Sequence, residues 1–256
     1  MRKKYSGFIY LVVLWFVLCH SIVSTKIKTV LTIKGGDFFI NGEITLKGRS
    51  LEGISLEGLL PNSRMVQGIF DDLNPETRSL WKYPDTGEWD ADCNTNEFIA
   101  AMPEWRLHGL LAFTLNIQGG SPTGYGNKGW INPGFYKNGK IREDYFNRLE
   151  KILSKADDLG MVVILGLFYF GQDEQLENES AVINAVNNSI DWLFEKNYRN
   201  VLIEINNECN GKSYDHNILK PERVHELIEL VKNKKDPEKN LKEKRAEKKA
   251  KRDSKR

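Results

Sequence analysis

The stretch Asn200-Val201-Leu202-Ile203-Glu204-Ile205-Asn206-Asn207-Glu208-Cys209-Asn210 decides how the rest of the chain is interpreted. Its apolar, β-branched run over residues 201–205 ends abruptly in Asn-Asn-Glu. A short apolar run bounded by polar residues predicts a buried strand of a parallel sheet. Because α/β enzymes place their chemistry at the carboxyl ends of such strands, Glu208 and the amide before it are candidate site residues.

Three similar apolar runs precede this stretch, and each strand is followed by a helical pattern. The strands are predicted at 64–70, 110–117, 161–170 and 201–205, and the helices at 94–108, 142–159, 180–196 and 221–231. Asn94, with Glu97 three residues later, predicts a capping box for the first helix. Repeated strand–helix alternation with continuous apolar strands predicts a parallel α/β fold in which both faces of the sheet are buried.

Two further patterns refine this fold class. No glycine-rich phosphate fingerprint follows any strand, because the glycines at 119–120, 124 and 126 lack the tight strand-to-helix context of a dinucleotide site. A barrel is therefore favoured over a doubly wound sheet. Before the first strand, the apolar runs at 30–33 and 38–46 predict a hairpin, with Asn41-Gly42 as a two-residue turn that needs positive φ.

The hexapeptide Ile203-Glu204-Ile205-Asn206-Asn207-Glu208 resembles the fourth strand of the clan A glycoside hydrolases, the cellulase-like (β/α)8 TIM barrels. In that family the strand reads roughly aromatic-Glu-Ile-x-Asn-Glu. The resemblance implies that Glu208 is the general acid/base and that Asn207 hydrogen-bonds the sugar 2-hydroxyl. It also implies that the hairpin closes the bottom of the barrel. The family usually has Pro after the Glu, where this chain has Cys209.

Other side chains at strand ends or in long loops are candidates for sugar contacts, with loop anchoring as the alternative. The strand-end candidates are Asp71, Asp72, Asn116, Gln118, Tyr169 and Gln172, and the loop tryptophans are Trp81, Trp89 and Trp130. The substrate-binding set predicted from these, together with Asn207, is Trp130, Asn116, Tyr169 and Asp71. By strand alternation Glu204 is expected to be a structural carboxylate buried with a partner. For Arg64, at the start of the first strand, structural pairing is expected.

Cysteine and histidine usage argues against several classes of site. The three cysteines form no disulfide scaffold and no Cys/His group with metal-ligand spacing, and no Ser-His-Asp arrangement is visible. We therefore expect no metal and no cofactor. Cys93 and Cys209 would both stand near the carboxyl ends of the strands, where they could pair or remain free thiols.

The two ends of the chain differ in composition from the middle. Basic residues 2–4 and the apolar run 8–23 predict a secretory signal peptide over residues 1–24, with an uncleaved membrane anchor through 8–23 as the alternative. A secreted or periplasmic protein is expected, with no stable membrane partner if the signal is cleaved. Residues 232–256 contain thirteen Lys/Arg against five Asp/Glu, a charge of +8, so that residues 1–231 carry −6 of the net +2.

The basic segment has too few apolar residues to build a core and is expected to be a disordered tail. The acidic remainder has no nucleic-acid footprint, so no nucleic-acid partner is expected. The predicted organisation is thus a signal peptide (1–24), the N-terminal half of a glycoside hydrolase barrel (25–231) and a tail (232–256). A (β/α)8 barrel needs eight strands, whereas about four βα units can be identified.

The expected function follows from this partial barrel. In the resembled family the nucleophile is a Glu at the end of the seventh strand, and that role cannot be transferred to any residue of this chain. The sequence therefore predicts retaining hydrolysis of O-glycosidic bonds by the complete enzyme and little or none by the chain as written. Three interpretations stay open: a truncated or frameshifted reading, a half-barrel that pairs with another half, including itself, through its strand edges, and a short relative that binds carbohydrate without cleaving it.

Overall fold

The structure is a computed structural model that describes residues 29–119, 129–210 and 214–234. The predicted signal peptide and the predicted tail from residue 235 onward lie outside these residues, so the structure does not bear on them. Within the described ranges, no helix combines the length and the apolar character that crossing a membrane requires.

The N-terminal strands form an antiparallel meander. Its strands are β1 (Leu31–Lys34), β2 (Asp37–Ile40) and β3 (Glu43–Ile44), and a separate small hairpin of β4 (Ser50–Leu51) and β5 (Ile54–Ser55) follows. The predicted turn at Asn41-Gly42 is confirmed, since the two residues have φ values of 54° and 82°. Asparagine and glycine tolerate this left-handed region better than other residues do.

Four parallel strands build the central sheet in the order in which they occur along the chain. They are β6 (Asn62–Arg64), β7 (Ala112–Asn116), β8 (Val162–Phe168) and β9 (Val201–Asn206). Each is followed by a helix: α1 (Ala91–Leu107), α2 (Glu143–Leu159), α3 (Glu179–Glu195) and α4 (Val224–Asn233). The predicted fold class is confirmed: the protein is α/β, with four successive βα units arranged as part of a (β/α)8 barrel.

The first strand of the sheet is shorter and earlier than predicted. It ends at Arg64, and residues 66–68 form a 3-10 turn instead of continuing the strand. Gly68 lies directly against the ring of Phe98 on α1, where a side chain would collide with it. The apolar residues Ile69 and Phe70 are buried as part of the loop that follows. The apolar run therefore reflects burial and not an extended conformation.

Helix boundaries depend on capping residues. α1 is capped by Asp90, whose carboxylate accepts the backbone N–H groups of Asp92 and Cys93 at 2.9 Å each. The predicted capping box at Asn94 is therefore wrong, and Asn94 lies inside the helix, where its amide donates to the carbonyl of Gln67. α2 ends at Gly160 in the left-handed conformation, as a C-terminal glycine favours.

Two apolar clusters hold the layers together. The larger one lies between the sheet and the helices and includes Phe113, Leu115, Val163 and Leu165. The smaller one lies at the amino-terminal end of the sheet, where Ala112 and Val162 meet β1, β2 and residues just after β3. Val30 forms a bridge with Arg199 directly before β9. The meander thus covers the end of the sheet opposite to the strand ends that carry the candidate site.

Candidate active site

The dipeptide that follows β9 carries the candidate acid/base. The backbone N–H of Asn207 donates to the carbonyl of Phe168 at 3.2 Å, which extends the contact with β8 by one residue. Glu208 then adopts φ +49°, and its side chain is exposed. The left-handed region costs a non-glycine residue about 1–2 kcal/mol, and such strain is concentrated at functional sites. An exposed carboxylate on a strained backbone therefore stands at the carboxyl end of the sheet.

Asn207 is held on two sides and has one group left over. Asn207 is 2% exposed. Its backbone carbonyl accepts a hydrogen bond from the hydroxyl of Tyr214 at 2.6 Å, and its side-chain Oδ1 accepts one from Nη2 of Arg64. Its Nδ2 is buried and has no hydrogen-bond partner among the described residues. Buried donors are nearly always paired in folded proteins, so an unpaired amide beside an exposed carboxylate is a feature of a ligand site.

Glu204 adds a second carboxylate to the inner face of the sheet. Burial raises the pKa of its carboxyl, the positive charge of Arg64 lowers it, and the charge of Glu208 raises it. Its Oε2 lies next to Gly166, where a Cβ would be 3.1 Å away and would also collide with the amide of Asn116. The prediction of a fully paired, buried carboxylate is thus met only in part. Glu204 is half-buried, and its Oε2 accepts no hydrogen bond within the described part of the chain.

The predicted contacts at the ends of β7 and β8 have partners within the protein. Asn116 is fully buried, accepts the backbone N–H groups of Gln118 and Gly119 at 3.0 and 3.1 Å, and donates to the carbonyl of Phe168 at 3.3 Å. Gln118 in turn accepts the backbone N–H of Tyr169 at 3.1 Å. Tyr169 is 8% exposed. These side chains tie the loops after β7 and β8 together, so their role in substrate binding stays a prediction.

Asp71 is the centre of an ion-pair network and not a free ligand. It is 6% exposed, and its carboxylate contacts Arg148 at 3.2 Å, Arg78 at 3.1 Å and the indole N–H of Trp89 at 3.0 Å. The carboxylate of the neighbouring Asp72 accepts a hydrogen bond from the indole N–H of Trp81 at 2.8 Å. Both carboxylates therefore hold the loop that follows β6, and a contact of Asp71 with substrate stays a prediction.

The three loop tryptophans converge on one residue. The rings of Trp81, Trp89 and Trp130 lie 5.5, 5.6 and 5.5 Å from the ring of Phe70. Trp130 is only 2% exposed, so its ring has no open face on which a sugar could stack. Its arrangement fits an anchor of its own loop, whereas the half-buried Trp81 and Trp89 keep partly open surfaces.

Two residues that shape the site, Tyr214 and Asp173, were not predicted from the sequence. Tyr214 is 2% exposed and reaches Asn207 from a loop seven residues later in the chain. Asp173, fully buried after β8, accepts the backbone N–H groups of Asp215 and His216 at 2.9 and 3.1 Å and so fixes that loop. Burial raises the pKa of Asp173. A solitary Tyr or Asp in a polar loop looks like any other, and only the folded contacts identify these two.

Metal and thiol chemistry are the other candidates at this site. Residues 29–119, 129–210 and 214–234 contain no group of three or more His, Cys, Asp or Glu side chains placed to hold a metal ion. Cys93 and Cys209 are both free thiols. What the arrangement at the end of β9 can do is exchange a proton through Glu208 and donate a hydrogen bond through Asn207.

One family model matches this chain. The sequence profile of Cellulase (glycosyl hydrolase family 5) matches residues 75–236, which is more than half of the chain. A glycoside hydrolase family 5 structure from Bacteroides vulgatus ATCC 8482 is 13% identical with a TM-score of 0.41, and the match covers 73% of this chain and 34% of that one. A β-1,4-D-mannanase from Cryptopygus antarcticus is 14% identical with a TM-score of 0.42, covering 77% and 50%. The chain thus spans half or less of the length of these two structures. No curated protein matches it.

Proposed function

This chain belongs to the cellulase family, glycosyl hydrolase family 5, and on that premise we propose that it serves the hydrolysis of O-glycosidic bonds in a poly- or oligosaccharide. We assign the general acid/base to Glu208 and a contact with a sugar hydroxyl to Asn207. The observation that carries this assignment is the pairing of an exposed carboxylate with a buried, unpartnered amide at the end of β9.

The proposed mechanism is retaining hydrolysis. Glu208 donates a proton to the glycosidic oxygen as the bond breaks, and its carboxylate then takes a proton from the water that attacks the glycosyl-enzyme intermediate. The scheme needs a second carboxylate as nucleophile, about 5–5.5 Å from the first. We do not assign that role to Glu204, because it lies within β9 itself, whereas in the resembled family the nucleophile stands at the end of the seventh strand.

The nucleophile would therefore come from beyond the four described βα units. We expect the 256-residue chain on its own to release little or no sugar. The alternative function, carbohydrate binding without cleavage, is favoured by the same amide of Asn207, since a hydrogen-bond donor is useful for binding even where the second carboxylate is lacking. Carbohydrate is the proposed partner in both cases.

One experiment separates these two functions. The purified 256-residue chain is incubated with insoluble cellulose, β-mannan and 4-nitrophenyl β-cellobioside, and both retention on the solid and release of reducing sugar or nitrophenol are measured. Retention without release supports binding alone. Release that Glu208→Gln abolishes supports a complete hydrolase and contradicts the expected inactivity. Neither retention nor release would count against a carbohydrate function for this chain.

Export and self-association are further parts of the proposal. We propose cleavage near residue 24 and a secreted or periplasmic location, with anchoring through residues 8–23 as the alternative. Sequencing of the mature N-terminus distinguishes the two. We also propose that β6 and β9, which end the sheet on either side, allow the chain to associate with a second copy. Sedimentation velocity over a range of concentrations tests that association.

A further inference from the structure

We propose that Arg64 and Tyr214 are positioning residues that hold Asn207 from opposite sides, so that its side-chain NH2 group is the donor offered to a ligand hydroxyl. The proposal rests on the proposed function for the nature of the ligand, a carbohydrate. The clamp itself rests on contacts within the protein and can be tested without any ligand.

Arg64 reaches Asn207 across the inner face of the sheet. β6 and β9 are the two outer strands, and three strand spacings would separate them by about 14 Å in a flat sheet. The hydrogen bond from Nη2 of Arg64 to Oδ1 of Asn207 joins residues 143 positions apart in the chain. A side chain can make this contact only because the sheet curls as a barrel does. The first and fourth strands are thus linked at the site.

The chemistry of arginine determines how the amide of Asn207 is turned. A guanidinium has only donors, so the oxygen of the amide must face Arg64 and the nitrogen must face away from it. Nδ2 is the atom that is buried without a partner. Glu204 lies close enough to Arg64 for the two opposite charges to interact, and Glu208 is the other charged group that acts on Glu204. Loss of the guanidinium would let the amide rotate and present its oxygen instead.

Tyr214 holds the backbone of the same residue. Its hydroxyl donates to the carbonyl of Asn207 at 2.6 Å and lies 3.5 Å from the carbonyl of Phe168 on β8. Burial raises the pKa of Tyr214, so the hydroxyl stays protonated as a donor throughout the neutral range. The peptide between Asn207 and the left-handed Glu208 is therefore clamped where the strand ends.

The test uses the side-chain amide of Asn207 as the reporter. Its two N–H signals in a nitrogen-15 spectrum of the full chain are assigned by their loss in Asn207→Asp. We expect two sharp, separate signals in the parent protein, and shifted or broadened ones in Arg64→Met and Tyr214→Phe. Arg64→Lys keeps the positive charge but loses the planar fork, so it separates geometry from charge.

Two matched variants serve as controls. Arg106→Lys changes an arginine that bonds the carbonyl of Leu159, and Tyr198→Phe removes a hydroxyl that bonds the carbonyl of Glu150. Both contacts lie away from Asn207, so its signals should not move. Unchanged Asn207 signals in Arg64→Met and Tyr214→Phe, or equal changes in the two controls, would overturn the clamp. Tyr214→Phe and Arg64→Lys keep the test decisive if Arg64→Met does not fold.

Binding of cellohexaose then tests whether the contacts of Arg64 and Tyr214 position Asn207 for a carbohydrate ligand. Titration calorimetry should show roughly tenfold weaker binding in Arg64→Met, the loss expected when one well-placed hydrogen bond is no longer presented. Equal affinity in the parent and in Arg64→Met would contradict the positioning role toward a ligand. If the Asn207 signals loosen as expected but the parent protein binds no cellohexaose, the clamp is supported and the proposed function is the part that fails.

Discussion

Asn116 at the end of β7 and Asn207 just after β9 look alike in the sequence, as amides that end apolar strands, but their contacts in the fold differ. Every polar atom of the Asn116 side chain has a backbone partner in the adjoining loops. The Asn207 side chain is bonded through its oxygen alone, and its nitrogen is left unpaired. A position at the carboxyl end of a strand therefore makes a residue a candidate, whereas an unsatisfied buried group marks where a ligand is accommodated.

The difference has a cause in the sheet. β7 is buried throughout and β8 is buried at all but one residue, so the loops after them pack against each other and satisfy their own polar groups. β9 is half-buried over its first four residues and has β8 as its only strand neighbour among the described residues. The polar residues at its end therefore meet fewer protein partners. Substitutions at structural and at unsatisfied strand-end residues should therefore differ in their effects.

The largest effect is expected at Asp71. Asp71→Asn leaves Arg148 buried without a counter-charge, and breaking a buried pair in this way costs about 3–5 kcal/mol in the free energy of unfolding. Urea denaturation measures it. Asp92→Asn, which removes the half-exposed partner of Lys151, should cost less than about 1 kcal/mol. Similar values for the two variants would contradict a structural role for Asp71.

A smaller loss is expected at Asn116. Asn116→Ala leaves the buried backbone N–H of Gln118 without an acceptor, whereas the N–H of Gly119 keeps the backbone carbonyl of residue 116. The variant should lower stability by about 1–3 kcal/mol. Asn138→Ala removes the same local turn contact at an exposed position and should change stability by about 0.5 kcal/mol or less. If Asn116→Ala left the free energy of unfolding almost unchanged, the structural role that distinguishes Asn116 from Asn207 would be contradicted.

At Glu208 the expected change is a gain. Glu208→Gly relieves the left-handed strain and should stabilise the protein by about 1 kcal/mol. Glu52, with φ +50° in the turn between β4 and β5, is the matched control, and Glu52→Gly should give a similar gain. Thermal unfolding of both variants tests this. Retention on insoluble polysaccharide should change in Glu208→Gly only, and a loss in both variants would contradict a specific role for Glu208.

The smallest effect is expected at Glu204 and concerns pH, since this group is only partly withdrawn from solvent. Because burial raises the pKa of its carboxyl above the ordinary 4.5, the folded protein binds more protons than the unfolded chain. Its contribution to stability is full below pH 4.5 and is lost as pH rises through the folded pKa. Denaturation from pH 4 to 8 should show a shallower decline in Glu204→Gln.

Two points make the pH experiment specific. Asp173, whose pKa burial also raises, remains in the Glu204→Gln variant, so the decline should be reduced and not abolished. Glu195→Gln, on the exposed surface of α3, controls for the removal of one carboxylate. A decline equally steep in the parent and in Glu204→Gln would show that Glu204 is not the carboxyl responsible.

The strand and helix pattern was predictable from the sequence because it depends on local periodicity. α2 and α3 start and end within one residue of the prediction, and β7, β8 and β9 lie inside or within one residue of the predicted runs. Two exceptions have different causes, a tertiary one for β6 and a local one for α1. β6 stops early because residues 66–70 are buried against α1 in a turn, and α1 starts early because Asp90 provides the cap.

Some features of the candidate site likewise depend on local sequence, and others depend on tertiary contacts. The alternation of strands and helices, the turn at Asn41-Gly42 and the position of Asn207-Glu208 at a strand end were predictable, since these follow from patterns within a few residues. Which strand-end groups have hydrogen-bond partners depends on tertiary contacts. Arg64 meets Asn207 over 143 residues, and Tyr214 and Asp173 act through loops that carry no sequence signal. Hydrogen-bond satisfaction depends on partners that are distant in sequence, and they are brought together only when the sheet curls and its loops close over its end.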